Sequence, residues 1–165
     1  MSDPERHETS AGQFEDQLSN HAPATHHDPL EKALLEQTVE AVESQPCVIV
    51  APDMPVHQAV QRLANLEVAC LVVADKERLA GVFTKRDVLD KVALQYDEVK
   101  DCTVSQVMTP KPEFVYDTDP VAAALCVMAS GGHRHVPVLA ADDRIVGIVG
   151  PIRVTKFLQR YFEHE

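Results

Sequence analysis

Thr84 and Asp87 are the first residues of this sequence whose types and spacing suit them to chemistry. They lie in Gly81-Val82-Phe83-Thr84-Lys85-Arg86-Asp87, where an apolar β run hands over to a helical pattern. A hydroxyl and a carboxylate three positions apart meet across the first turn of such a helix. The backbone N–H groups of that turn lack intrahelical partners and suit an anion. A carboxylate beside them can accept both hydrogen bonds of a vicinal diol such as a ribose. The same two residues also fit a plain capping box, with Thr84 as cap and Asp87 as the acidic residue three positions on. Spacing alone leaves both readings open.

The elements that must position this pair can be traced along the 165 residues. Residues 1–27 are acidic, His-rich and poor in large apolar side chains, so they are expected to form a disordered tail. His21, His26 and His27 lie in it with nothing to pre-organise them for a metal. A helix is expected over 28–45, with Asp28 as cap and Pro29 at the first helical position. Its apolar face is Leu30, Ala33, Leu34, Thr38, Ala41 and Val42. From Cys47 the pattern becomes a short strand, a helix from Pro55 to about Glu67, two strands (68–74 and 79–83) and a helix from about Lys85 to Val99. The second half repeats this order: a strand over 113–116, a helix from Pro120 to Ser130, strands over 135–140 and 144–149, and a helix over 152–162.

Two anchors align the halves. Pro55-Val56 matches Pro120-Val121 at an offset of 65, and Leu79-Ala80-Gly81-Val82 matches Ile145-Val146-Gly147-Ile148 at 66. One extra residue is therefore expected, assigned to Gly131-Gly132. Two units, 47–100 and 101–165, follow. Each is too small for a comfortable core of its own, so they should pack together with pseudo-twofold symmetry and clefts between them.

Composition narrows the function. The net charge of −11 sits mainly in the first 46 residues, and no basic face suited to nucleic acid is evident. No apolar run approaches the roughly 20 residues of a membrane helix. Cys47, Cys70, Cys102 and Cys126 form no C-x-x-C pair, and most lie in apolar runs, which fits buried reduced thiols and a cytoplasmic setting. No P-loop, H-E-x-x-H or G-x-S-x-G motif occurs, so neither an enzyme nor a metal or other cofactor is expected.

The duplicated order of elements, the G-x-x-T-x-x-D element, Met108-Thr109-Pro110 and Arg134-His135-Val136-Pro137-Val138 together resemble the CBS-domain family. Its repeats pair into Bateman modules, and the resemblance spans roughly residues 47–165. It implies an α/β (α+β) fold of two tandem β-α-β-β-α repeats preceded by the N-terminal helix. It further implies a ligand such as AMP, ADP or ATP, with Thr84 and Asp87 on phosphate and ribose, and Arg134 and His135 reaching its phosphates from the other repeat. Met54, Ala59, Val68 and Val82 would wall the adenine.

The second repeat departs from the pattern. Gly150 stands where the hydroxyl would be and Arg153 where the carboxylate would be. Val68 and Ala69 are aligned with Arg134 and His135. One competent and one degenerate nucleotide site are therefore expected. The resemblance implies a regulatory sensor, a homodimer and an output through a partner protein, the tail or self-association. A protein-interaction module without nucleotide, or a binder of another adenosyl ligand such as S-adenosylmethionine, is the alternative.

Overall fold

The computed structural model describes residues 28–42 and 46–162; the tail expected over 1–27 and its histidines lie outside them. The first helix, α1 (Pro29–Glu36), is capped by the Asp28 carboxylate, which accepts from the Leu30 N–H at 2.8 Å. It is shorter than expected. The chain leaves α1 at Gln37, Thr38 bridges to Pro120, and Val39–Val42 forms a 3-10 turn. Apolar residues three apart fit a 3-10 turn as well as an α-helix, so their periodicity did not mark the break.

The first repeat contains β1 (Val48–Val50), α2 (Val56–Asn65), β2 (Cys70–Asp75) and β3 (Arg78–Thr84). The helical stretch that follows is broken into α3 (Lys85–Asp87), a π turn (Val88–Val92), a 3-10 turn (Ala93–Gln95) and α4 (Tyr96–Val99). Then come α5 (Val104–Val107) and β4 (Thr109–Pro110). The second repeat contributes β5 (Val115–Tyr116), α6 (Val121–Gly131), β6 (Val136–Leu139), β7 (Ile145–Val149) and α7 (Pro151–Phe162). In each sheet the first two strands are parallel and the next pair antiparallel, giving the orders β1-β2-β3-β4 and β5-β6-β7.

The two halves exchange their leading segments. Val39 and Val42 are buried with Val115, Val121, Val136 and Phe157 of the second repeat. Val104 and Val107 are buried with Val56, Leu63, Leu71 and Phe83 of the first. The hydrogen bonds of the exchange are reciprocal at an offset of 65. Val39 N–H donates to the Asp119 carbonyl as Val104 N–H does to Met54, each at 2.8 Å, and Val121 N–H donates to Gln37 as Val56 N–H does to Cys102, each at 2.9 Å. The bridges Thr38–Pro120 and Pro55–Thr103 complete the set. Met108-Thr109-Pro110, which falls within the expected second unit 101–165, instead adds β4 to the first sheet beside β3.

Register also relocates the extra residue. Val50 pairs with Val73 and Val115 with Val138, so β2 and β6 correspond at 65. Val73 pairs with Gly81 and Val138 with Gly147, so β3 and β7 correspond at 66. The insertion thus lies in the hairpin turn, not at Gly131-Gly132. Gly132 (φ 63°) is the counterpart of Glu67 (φ 53°), both ending a helix in the left-handed region.

Candidate functional site

Alternation along β3 separates two faces. Phe83 points into the helix-side core, whereas Val82 and Thr84 share the opposite face with their partners Val72 and Cys70. Val72 and Val82 are buried there too, on the side where the repeats meet. Gly81 lets β4 approach closely. A Cβ at this position would collide with the Met108 Sδ and stand 2.9 Å from the Thr109 carbonyl oxygen.

Thr84 caps α3, and the capping box is complete. The Asp87 N–H donates to Thr84 Oγ1 at 3.2 Å, and Asp87 Oδ2 accepts from the Thr84 N–H at 2.9 Å and its hydroxyl at 2.7 Å. The other oxygen, Oδ1, accepts from Lys91 Nζ at 2.6 Å and the Thr109 hydroxyl at 2.9 Å. Asp87 is 5% exposed, yet its carboxylate has four donors. Burial pushes its pKa up, but the hydrogen bonds from Lys91, Thr84 and Thr109 outweigh burial and leave it below the ordinary carboxylate value. Lys91 also donates to the Met108 carbonyl at 3.2 Å, which ties the π turn to the segment that crosses from the second repeat. The sequence reading missed Lys91 and Thr109. An i,i+4 lysine was a legible signal for the first; the strand exchange that delivers Thr109 was not.

The second repeat differs at each counterpart. His135 corresponds to Cys70 and Arg134 to Ala69, which corrects the earlier alignment with Ala69 and Val68. A Cβ at Gly150 would stand 3.0 Å from His135 Cδ2, so the imidazole fills the space that a threonine would need. Burial, then the adjacent Arg134 charge, lowers the His135 pKa and favours the neutral ring. Arg134 is exposed and Arg153 half-buried. Among the described residues, no hydrogen bond or ion pair joins Arg134 or His135 to Thr84 or Asp87. The four expected adenine contacts also divide. Ala59 is fully buried in the helix-side core, Met54 and Val68 pack against that core half-buried, and Val82 lies on the other face of the sheet.

Cys70 faces the site. Burial, then the Asp87 carboxylate and Cys47, push its pKa up to about 12, so it is a protonated, inert thiol. Among the described residues no cluster of three potential metal ligands occurs, and no helix is long and apolar enough to cross a membrane.

Comparison with known proteins bears on this arrangement. The family model for the CBS domain matches residues 39–94 and 104–160, two successive copies. A CBS domain-containing protein of Arabidopsis thaliana, CBSCBSPB1, is 30% identical over 106 residues, which is 64% of this chain and 20% of that protein's length. Among solved structures, the CBS-domain protein ATU1752 from Agrobacterium tumefaciens is 27% identical, with a TM-score of 0.65 over 73% of this chain and 98% of that one. CBSX2 in complex with AMP is 25% identical, with a TM-score of 0.64 over 74% of this chain and 96% of that one.

Proposed function

The chain belongs to the CBS-domain family, and on that premise we propose that it is a regulatory module that senses an adenine nucleotide at the Thr84–Asp87 pair. The observation that carries this reading is the asymmetry of the repeats. The first keeps a hydroxyl and a buried, ionised carboxylate where strand becomes helix, and the second has Gly150 and Arg153 there. The similarity to an AMP-bound CBS protein supports the ligand class.

Binding in this reading is an exchange. A ribose diol that reaches Asp87 must displace donors already there, and Oδ1, held by Lys91 and Thr109, is the oxygen whose donors lie outside the capping box. A nucleotide offers both halves of that exchange. Its diol replaces the ammonium, and its phosphate receives the released Lys91, with Arg134 as a second cation of matching charge. The apolar wall for the base is drawn from the Val82 side of the sheet, where the repeats meet, rather than from the helix-side core that holds Ala59. Movement of Lys91 would pull on the π turn and on the Met108 carbonyl, and so on the segment shared by both repeats. A partner protein that prefers one of the two states would read this shift. Exposed Leu89, Leu94, Ile152 and Phe162, on the helical segments that follow β3 and β7, support a homodimer.

The competing reading, an interaction module without nucleotide, is favoured by the completeness of the Asp87 network. Thermal unfolding with AMP, ADP, ATP and S-adenosylmethionine separates the two. At about 100 times its dissociation constant, a ligand adds roughly 2.7 kcal/mol of stability. A rise with an adenine nucleotide that disappears in Asp87→Ala supports the sensor. A rise with S-adenosylmethionine alone changes the ligand, and no rise at millimolar concentration leaves the interaction module.

A further inference from the structure

The two flanks of the hairpin tips are related by the pseudo-twofold but are filled differently. On one flank Phe114, Tyr116 and Leu139 stand together. Tyr116 packs edge-on against Phe114, with centroids 5.5 Å apart, and its hydroxyl donates to Asp143 Oδ1 at 3.2 Å. Arg78 of the first repeat closes the contact, donating to Asp143 Oδ2 at 2.7 Å. The counterparts on the other flank are Ile49, Ala51 and Ala74, with Glu77 for Asp143 and Arg144 for Arg78. Two alanines thus replace a tyrosine and a leucine, and a cleft of 450 Å³ opens, lined by Ile49, Ala51, Ala74, Glu77, Arg144 and Ile145.

Two further features distinguish this flank. Arg144 does not repeat the Arg78 latch: its Nε donates to Asp142 at 2.8 Å, in the turn that is one residue longer, and Glu77 acts on it only as a nearby charge. Glu77 sits in a two-residue turn in which Lys76 (φ 47°) and Glu77 (φ 68°) are both left-handed. Such turns favour Asn-Gly, and a glutamate there is held at a conformational cost. The carboxylate therefore stands at the rim on a backbone that its residue type does not favour.

We infer that this cleft receives a planar aromatic group carrying a hydrogen-bond donor, of the phenol class, which donates to Glu77 as Tyr116 donates to Asp143. Tyr116 is the covalent counterpart of such a group. The site is independent of the nucleotide reading. It lies at the opposite end of β3 from Thr84, roughly 20 Å along a seven-residue strand. A free phenol and a tyrosine side chain of another protein share this chemistry.

Titration of the 15N-labelled chain with p-cresol, toluene and the peptide Gly-Tyr-Gly, followed by amide chemical shifts, tests the site. Saturable shifts with p-cresol are expected at residues 49–51, 74–77 and 144–145, with at least threefold weaker binding of toluene. Glu77→Gln should weaken p-cresol at least threefold, and Ala51→Tyr should abolish its binding. Ala74→Leu gives a second, smaller obstruction should Ala51→Tyr fail to fold. Asp87→Ala should leave the titration unchanged. Binding of p-cresol alone assigns a free small molecule; binding of the peptide as well assigns a partner's tyrosine. The inference is overturned by an absence of saturable shifts in these segments up to about 10 mM. It is equally overturned by p-cresol affinity that survives the obstructing variant.

Discussion

Replacing Asp87 tests the central feature of the site, a buried carboxylate with four donors. Asp87→Ala removes the capping box, worth about 1 kcal/mol, and the hydrogen bonds to Thr109 and Lys91. The Lys91 side chain is 41% exposed, so its ammonium returns to water, and its share is discounted for solvent screening. The total is about 2–3 kcal/mol, which lowers the unfolding midpoint by roughly 5–10 °C for a chain of this size. A double-mutant cycle with Lys91→Met in urea should give a coupling of about 0.5–1 kcal/mol. The pH dependence has a fixed sign. The folded pKa of Asp87 is depressed, so its contribution is fully present above the unfolded value of 3.8 and is lost as pH falls through the lower folded value. The gap between wild type and Asp87→Ala should therefore narrow only below pH 3.8. A loss under about 0.5 kcal/mol at neutral pH would show the carboxylate to be solvated, and the reasoning would fail. A coupling above about 3 kcal/mol would also refute it, since that is the range of fully buried pairs.

Other expectations follow from the pseudo-symmetry. Glu67→Gly should raise stability by about 0.5–1 kcal/mol in thermal unfolding, because Glu67 holds the left-handed position that Gly132 fills in the second repeat. Gly150→Thr should cost about 1 kcal/mol by crowding His135, and His135→Cys should recover it by restoring the Cys70–Thr84 pairing of the first repeat. A midpoint in the double variant no higher than in Gly150→Thr would refute that pairing. Gly81→Ala should cost about 1–3 kcal/mol, as its Cβ meets Met108 and the β4 backbone. The folded pKa of His135 is depressed, so its neutral form contributes stability above pH 6.5 that is lost as pH falls through the folded value. Wild type should lose more stability than His135→Ala between pH 7 and 5, measured by urea unfolding.

Local pattern made the repeat legible. Pro55-Val56 with Pro120-Val121, the Leu-x-Gly and Ile-x-Gly strands, and the strand-to-helix handover at Thr84 are short-range features, and the strands and helices they mark are present. Thr38-Val39-x-x-Val42 and Thr103-Val104-x-x-Val107 carry the same offset of 65 in plain view. Their role was still hidden, because nothing in a strap's own residues says which half it packs against. That choice is made by long-range contact: Val39 and Val42 are buried by the second repeat, and Val104 and Val107 by the first.

Residue type and spacing are enough for the duplication, the α/β order and the loss of hydroxyl and carboxylate at Gly150 and Arg153. Tertiary structure alone decided that Asp87 is shared by Thr84, Lys91 and Thr109, because Thr109 arrives on a strand from the other half. It decided that Ala59 is buried on the helix side of the sheet and Val82 on the side where the repeats meet, since sheet sidedness depends on what each face meets. It also decided that Arg144 bonds to Asp142 of the longer hairpin turn, and that one flank of the junction is left open. Each of these outcomes is a competition among distant groups for the same space or the same hydrogen bond, and only the packed chain settles it.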